Sequence, residues 1–131
     1  MSRTESTMLP LGTCLPDFDL EFVRGIKGGE KYEKIDLLKI NNHMISDKPI
    51  LIMVICAHCP FVKHVELEIT KLDKDYRKSI QILATCSNSL ITHPQDGAKF
   101  LAQQANSFGW SFPYLIDSDQ YFAKALNAAC T

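Results

Sequence analysis

Residues 50–60, with the sequence ILIMVICAHCP, run from six apolar residues into two cysteines and a proline. An unbroken apolar run rich in β-branched side chains is typical of a central parallel strand that is buried on both faces. Proline is tolerated in the first turn of a helix, where its missing N–H costs no intrahelical hydrogen bond. We therefore expect a buried strand over 50–55 and a helix that starts near Ala57.

The residues after this stretch predict that helix and a second strand. Five apolar side chains recur at helical spacing with charged ones between them, which predicts a helix over about 58–77. The apolar positions are Phe61, Val65, Ile69, Leu72 and Tyr76. Residues 80–86, IQILATC, then predict another strand. A strand, a helix and a strand in this order form a βαβ unit, in which the two strands are parallel.

The amino-terminal part of the chain predicts less regular structure. Residues 1–10 are polar, and we expect them to be disordered. An alternation of apolar and polar residues predicts a strand over 18–23. A glycine-rich turn at 25–30 follows, and residues 32–38 could form either a partner strand or a short helix.

The carboxyl-terminal part predicts two helices with a strand between them. Pro94 suits the first position of a helix, Asp96 suits its first turn, and Gly109 suits its end. Residues 112–117 predict a short third strand. Asp117 is then expected to be the N-cap of a short last helix.

The composition indicates one domain over residues 1–131 and excludes several classes of function. With 131 residues, of which 46% are hydrophobic, the chain can bury a core of its own. Lys and Arg number 14 and Asp and Glu number 15, without a basic block, so the charge pattern of a nucleic-acid-binding protein is absent. The amino terminus has no apolar core of signal-peptide length, and no later apolar run approaches a membrane span.

The cysteines are an odd number and are scattered along the chain except for one close pair. They are Cys14, Cys56, Cys59, Cys86 and Cys130. This pattern argues against a secreted scaffold held together by disulfides and favours a reducing compartment. We therefore expect a cytoplasmic protein.

Cys56 and Cys59 have the spacing of a thioredoxin-like redox motif, between a buried strand and an amphipathic helix. A helix N-terminus presents unpaired N–H groups and a positive dipole end, which favour a thiolate at Cys56. Cys56 is therefore the expected attacking sulfur, and Cys59 the expected resolving thiol. His58 would stabilise the Cys56 thiolate and make the pair more oxidising. We expect no cofactor and no metal for this chemistry.

Other interpretations of the cysteines stay open at this point. Two cysteines at a strand end could simply be small buried hydrophobic residues. Cys86 or Cys130 could act as a further resolving thiol, although burial of the first and fraying of the second are the simpler expectations. A zinc or copper site with one distant ligand is the third interpretation. Its residues would be Cys56, His58 and Cys59 with Cys86, His93 or Cys130.

The segment CAHCPFVKH at 56–64 resembles the C-x-H-C-P-F-V-K-H motif of bacterial thioredoxin-like redoxins, which belong to the alkyl hydroperoxide reductase/thiol-specific antioxidant superfamily. The resemblance extends along most of the chain. Residues 12–20 are similar to the family's G-x-x-x-P-D-F-x-L segment, 86–88 to its S-N segment, 112–115 to its F-P-Y-L segment and 128–131 to its A-x-C-T segment.

This resemblance implies an α/β, thioredoxin-like fold, in which a central, mostly parallel sheet has flanking helices and an extra αβ insertion at about 94–117. It implies thiol-disulfide oxidoreductase activity at Cys56 and Cys59, on a disulfide-containing protein or a small thiol or disulfide. In such proteins a cis-proline, two strands and a helix follow the A-x-C-T segment, so this chain is expected to lack the C-terminal strand pair and helix. One side of the 50–55 strand would then be an exposed apolar edge, through which a homodimer could form.

Two alternative functions follow from the same resemblance. Without the cis-proline loop, which shapes the substrate groove and keeps metals from the sulfurs, the chain could be a non-catalytic module that binds a partner or a metal. A thiol-dependent peroxidase would need the pattern P-x-x-x-T/S-x-x-C, with a hydroxyl residue three positions before the reactive cysteine. That position holds Cys56 if Cys59 reacts and Met53 if Cys56 reacts. Peroxidase activity is therefore disfavoured.

Overall fold

The computed structural model describes residues 5–23, 38–45 and 47–130. These residues form a five-stranded sheet, three helices and two short 3-10 turns. The strands are β1 (Asp19–Val23), β2 (Leu38–Asn41), β3 (Ile50–Val54), β4 (Gln81–Cys86) and β5 (Tyr114–Ile116). The helices are α1 (Pro60–Tyr76), α2 (Ala98–Phe108) and α3 (Tyr121–Ala125), and the 3-10 turns are Asn42–Met44 and Pro94–Asp96.

The sheet is mixed and has the strand order β2, β1, β5, β4, β3. Strands β3, β4 and β5 are parallel, whereas β1 is antiparallel to both of its neighbours. The parallel pairing of β3 with β4 confirms the predicted βαβ unit around α1. The strands predicted at 18–23, 50–55, 80–86 and 112–117 are all present with slightly shorter bounds.

Strand β3 lies at the edge of the described sheet, where its partner is β4. We expected this strand to be buried on both faces, and that expectation is wrong. Ile50 is exposed and the other four residues are only half-buried. The reason is the position of the strand, because an edge strand has one neighbour and therefore less cover than a central strand.

Helix α1 begins at Pro60, three residues later than expected. Cys59 is its N-cap and has an extended backbone with φ −63° and ψ 123°, because a proline ring disfavours the helical conformation in the residue before it. The buried face also differs from the predicted apolar stripe. Buried are Val62, Ile69 and Asp73, whereas Phe61, Val65 and Tyr76 are exposed. Asp73 is buried because the N–H and the hydroxyl of Ser111 both donate to its carboxylate.

Helix α2 begins at Ala98 rather than at Pro94 as expected. Pro94 starts a 3-10 turn, and the extended backbone of Gly97, with φ −67° and ψ 163°, separates that turn from the helix. Asp96 therefore lies outside the first turn of α2, and its carboxylate has partners elsewhere. Gly109 ends the helix in the left-handed region at φ 66°, as the sequence predicts.

The last helix, α3, is capped from a distance. Its N-cap residue is Gln120, not Asp117 as expected. The Asp117 carboxylate nevertheless accepts hydrogen bonds from the N–H groups of Phe122 and Ala123, at 3.1 and 2.9 Å. The hydroxyl of Ser87 donates to the same carboxylate at 2.7 Å. Asp117 therefore caps the helix through its side chain, as predicted, although it is not the N-cap residue.

Alternate residues of β4 enter two hydrophobic clusters on opposite faces of the sheet. The larger cluster lies against α1 and α2 and includes Cys56, and the smaller one lies against α3. In the described part of the chain, no helix combines the length and the apolar character that a membrane crossing requires. The turn predicted at 25–30 lies outside the described residues, as does most of 32–38, whose last residue begins β2.

Candidate redox site

The cysteine pair lies where the chain passes from β3 into α1. The N–H of Ile55 still donates to the carbonyl of Thr85 in β4, at 3.0 Å, so the sheet fixes the backbone just before Cys56. Cys56 has no exposed surface, whereas Cys59 at the start of α1 is half-buried. None of the five cysteines is in a disulfide. The sequence therefore predicted the place of the pair correctly, but the accessible thiol is the second one.

Asp96 holds the loop between the two cysteines. Its Oδ1 atom accepts the backbone N–H groups of Ala57 at 3.0 Å and of His58 at 3.1 Å. Its Oδ2 atom accepts the side-chain amide of Asn88 at 2.8 Å and lies 2.5 Å from Nδ1 of His58. The carboxylate is 0% exposed, whereas its partners Ala57 and His58 are partly exposed. The N–H groups of Ala57 and His58 have no hydrogen bond within α1, because that helix begins only at Pro60. Asp96 accepts both of them instead.

His58 links the aspartate to the buried thiol. Its Nδ1 atom lies 3.6 Å from Sγ of Cys56, and the nearby carboxylate favours a proton on that nitrogen. The imidazole ring stacks on the ring of His93, with centroids 4.7 Å apart, and 27% of the side chain is exposed. The single N–H at this nitrogen is directed at the carboxylate, and the sulfur is its more distant neighbour. This arrangement is the contact expected from the sequence, with Asp96 as an added partner.

A second buried network supports the Cys56 backbone from the other side. The amide nitrogen of Gln104 donates to the carbonyl of Cys56 at 3.3 Å and to the carboxylate of Glu66 at 2.7 Å. The hydroxyl of Tyr114 donates to the amide oxygen of Gln104 at 2.9 Å. Burial, assisted by nearby acidic groups, raises the pKa of Tyr114 well above its usual value, so the phenol stays a donor.

The other cysteines differ strongly in exposure. Cys86 ends β4 and is buried, and burial raises the pKa of its thiol from 9.0 to about 12. Nearby Asp96, Cys56 and Asp117 contribute to this rise in pKa, while a backbone hydrogen bond from Asn88 opposes it. Cys14 and Cys130 are exposed. Cys86 is thus a poor candidate for a further resolving thiol, in line with the simpler expectation from the sequence.

Trp110 and His93, which the sequence also offered as residues near the cysteines, make their described side-chain contacts with other residues. Trp110 is buried, donates to the hydroxyl of Thr70 at 2.9 Å and stacks on the rings of Phe108 and Phe112, which is a packing role. His93 precedes the 3-10 turn and contacts the site only through its stacking on His58.

Sequence reasoning missed four polar residues that surround the cysteine pair. They are Glu66, Asn88, Asp96 and Gln104. Asp96 lies 38 positions from His58, so no local spacing connects them. A polar side chain that the fold buries beside a reactive group cannot be recognised from periodicity, which describes each element by itself.

Comparisons with known proteins support the fold. No protein-family model matches the sequence, and no curated protein sequence matches it either. The chain is similar to the structure of an uncharacterized conserved protein from Geobacillus kaustophilus, with 39% identity and a TM-score of 0.80 over 100% of this chain and 65% of that one. It spans about two thirds of that protein's length.

Two more distant structures share the architecture. Mycobacterium bovis AhpC aligns with a TM-score of 0.63 and 18% identity, over 92% of this chain and 68% of that one. A putative thioredoxin from Neisseria meningitidis aligns with a TM-score of 0.59 and 23% identity, over 86% of this chain and 63% of that one. With its five-stranded sheet and flanking helices, the chain therefore has a thioredoxin-like fold.

Proposed function

We propose that the chain is a thiol-disulfide oxidoreductase in which Cys56 and Cys59 cycle between a dithiol and a disulfide. The observation that carries this proposal is the pair of cysteines three positions apart at the end of β3, with a partly exposed imidazole and a buried carboxylate beside the first sulfur. A cysteine kept only for packing needs no such partners. The thioredoxin-like fold of the chain adds support, because redox dithiols are found between the same two elements in that fold.

The difference in burial favours an order of attack that is the reverse of the one expected from the sequence. A substrate disulfide must reach the attacking sulfur, and Cys56 has no exposed surface whereas Cys59 is half-buried. Cys59 also lies at the N-terminus of α1, where the helix dipole favours a thiolate. We therefore assign Cys59 the attack on the substrate and Cys56 the resolving step.

Oxidation of the cysteine pair needs no reactant besides the substrate disulfide, and its return to the dithiol consumes two thiols of an external reductant, which become a disulfide. The Cys59 thiolate attacks one sulfur of the substrate, the substrate S–S bond breaks, and the other sulfur leaves as a thiolate. The Cys56 thiolate then attacks Sγ of Cys59 in the mixed disulfide and releases the second substrate thiolate. The two protons from the cysteines end on the two substrate thiols, while the cysteine pair is oxidised to a disulfide.

His58 and Asp96 act on the second step in this scheme. Cys56 is buried, so its thiolate has no water to stabilise it. His58 donates its Nδ1–H to Asp96 and places this polarised ring edge 3.6 Å from the sulfur, which gives the thiolate a partly positive neighbour. Asp96 is a positioning residue here, because it contacts His58 and the loop amides, whereas His58 is the residue next to the reacting sulfur.

A reaction with a chromogenic aromatic disulfide tests both the function and the order of attack. The two exposed cysteines, Cys14 and Cys130, are first replaced by serine so that they cannot react. In this background the parent chain should release two equivalents of the coloured thiol and end with a disulfide. The Cys56→Ser variant should release one equivalent and remain joined to the reagent, and Cys59→Ser should react at least about tenfold more slowly.

The products of these reactions distinguish the order of attack from the oxidoreductase function itself. If Cys59→Ser forms the stable mixed disulfide instead, Cys56 is the attacking sulfur and the assigned order is wrong. If the parent chain releases two equivalents but keeps two reagent groups bound, the cysteines react independently and the proposed oxidoreductase function fails. Intact mass measured after the reaction distinguishes these products.

A further inference from the structure

Three side chains of different chemistry point their ligand atoms at one small volume beside the sheet. They are the thiol of Cys56, the imidazole of His58 and the carboxylate of Asp96, and their ligand atoms all lie within 4.8 Å of one another. Cys56 and Asp96 are buried, while His58 is partly open to solvent. Sulfur, nitrogen and oxygen together form a donor set that Zn²⁺ accepts.

The distance between the sulfur and the nitrogen matches a tetrahedral zinc site. With a Zn–S bond of about 2.3 Å and a Zn–N bond of about 2.0 Å, a tetrahedral angle separates the two ligand atoms by about 3.5 Å. Sγ of Cys56 and Nδ1 of His58 are 3.6 Å apart. This separation is therefore that of two ligands of one tetrahedral zinc ion.

The carboxylate needs a small movement to join them. A zinc-bound nitrogen and oxygen are about 3.3 Å apart in a tetrahedral site. Nδ1 of His58 and Oδ2 of Asp96 are 2.5 Å apart, which is the distance of a hydrogen bond. Replacing the shared proton by a metal ion moves the ring outward by under an ångström. The His58 side chain is 27% exposed, so part of it faces solvent rather than protein.

The two oxygens of Asp96 have separate partners, which leaves one of them for a metal. Oδ1 accepts the backbone N–H groups of Ala57 and His58 and fixes the position of the carboxylate. Oδ2 faces His58 and is oriented by the side-chain amide of Asn88. In metal sites, hydrogen bonds from outer-shell groups orient the ligating carboxylate in this way.

We propose that the reduced chain binds one Zn²⁺ ion through Sγ of Cys56, Nδ1 of His58 and Oδ2 of Asp96. A water molecule completes the tetrahedron, as in zinc sites with three protein ligands. Binding releases the thiol proton of Cys56, and the remaining proton of the neutral His58 ring moves to Nε2. The zinc site does not depend on the proposed disulfide chemistry, although the ion and the disulfide compete for the same sulfur.

Zinc titration of reduced protein against a chromogenic chelator tests this site. All variants carry serine at Cys14 and Cys130, which removes the exposed thiols as ligands. The parent should bind one zinc ion per chain. Cys56→Ser, His58→Ala and Asp96→Asn should each lower the affinity by roughly tenfold or more. Asp96→Asn is the informative variant because its amide oxygen can still accept the two loop N–H groups.

The Cys59→Ser variant separates this proposal from the proposed function. It cannot form the disulfide, but it keeps all three proposed ligands, so its zinc affinity should stay within about twofold of the parent. An equal loss of zinc in Cys59→Ser would mean that the ion is held by the dithiol, and the proposed ligand set would be wrong. A failure of the disulfide assay with intact zinc binding would leave this site standing.

Cobalt spectra give a measurement that does not depend on any variant. Co²⁺ in the parent chain should have a sulfur-to-metal charge-transfer band with the intensity of one thiolate and visible bands of a tetrahedral ion. An intensity of two thiolates, an octahedral spectrum or the absence of binding would overturn the proposal.

Discussion

Asp96 connects two segments of the chain that the sequence keeps far apart, and its burial makes its replacement costly. Asp96→Ala leaves the N–H groups of the half-buried residues Ala57 and His58 without their acceptor. We expect this variant to lower the free energy of unfolding by about 3 kcal/mol. Urea denaturation, followed by far-ultraviolet circular dichroism, measures the loss.

The matched control for this prediction is Asp96→Asn. Its side-chain oxygen can still accept the two loop amides, so the expected loss is only about 1 kcal/mol. Equal losses in the two variants would contradict the assigned role, because they would mean that the charge and not the hydrogen-bond acceptor stabilises the loop.

The raised pKa of the buried Cys86 thiol predicts how the free energy of unfolding changes at alkaline pH. Its pKa is raised to about 12 in the folded chain, so its contribution to stability is complete below the unfolded value of 9.0 and is lost as the pH rises towards 12. We expect the stability difference between the wild type and Cys86→Ala to shrink by about 2 kcal/mol between about pH 8 and about pH 10.5. A constant difference in urea denaturation would mean that the thiol ionises normally in the fold.

The candidate site could be predicted from the sequence only as far as its local part. The two cysteines, the histidine between them and the proline after them lie within residues 56–60, so their spacing carries the information. Asp96 and Gln104 reach the same place from a later turn and helix, and only the packing of α2 against the sheet brings them there. The burial of Cys56 was not predicted either, and it is the reason for assigning the attack to Cys59 instead of Cys56.

Two glycines flank helix α2, and only one of them has a backbone conformation that favours glycine. Gly109 has φ 66°, with open space where a Cβ atom would lie, so Gly109→Ala costs only the left-handed backbone conformation. We expect a loss of about 1 kcal/mol in the free energy of unfolding. Gly97 has φ −67° and an added Cβ would make ordinary contact with the Pro94 carbonyl, so Gly97→Ala should change stability by less than about 0.5 kcal/mol.

The two variants are each other's control because they remove glycine at either end of one helix. Thermal or urea unfolding of both, measured against the parent, checks the prediction. A loss in Gly97→Ala that equals the loss in Gly109→Ala would contradict the backbone argument, since only one of these positions requires a positive φ.

The elements themselves were well predicted, and the errors have local causes. Apolar periodicity predicted α1 and the three parallel strands because each has a continuous pattern of its own. The start of α1 was misplaced because Pro60 excludes the residue before it from the helix. The start of α2 was misplaced because Gly97 interrupts the turn that begins at Pro94.

At the scale of the whole molecule, the strand order was beyond the reach of the sequence pattern. Strand β1 lies between β2 and β5, which follows it in the chain by about ninety residues. No periodicity reports such a pairing, because it arises from the packing of both faces of the sheet. The position of β3 at an edge agrees with the exposed edge expected from the resemblance. A homodimer through this edge stays a prediction.

A reversible disulfide between Cys56 and Cys59 can be detected by mapping the disulfides after mild oxidation. The reduced full-length chain is treated with oxidised glutathione, its remaining thiols are alkylated, and peptides are identified by mass spectrometry. We predict a disulfide between Cys56 and Cys59 that dithiothreitol reverses, with Cys86 still a thiol. Recovery of Cys56 and Cys59 in alkylated or glutathionylated form, or joined to other cysteines, would contradict the account.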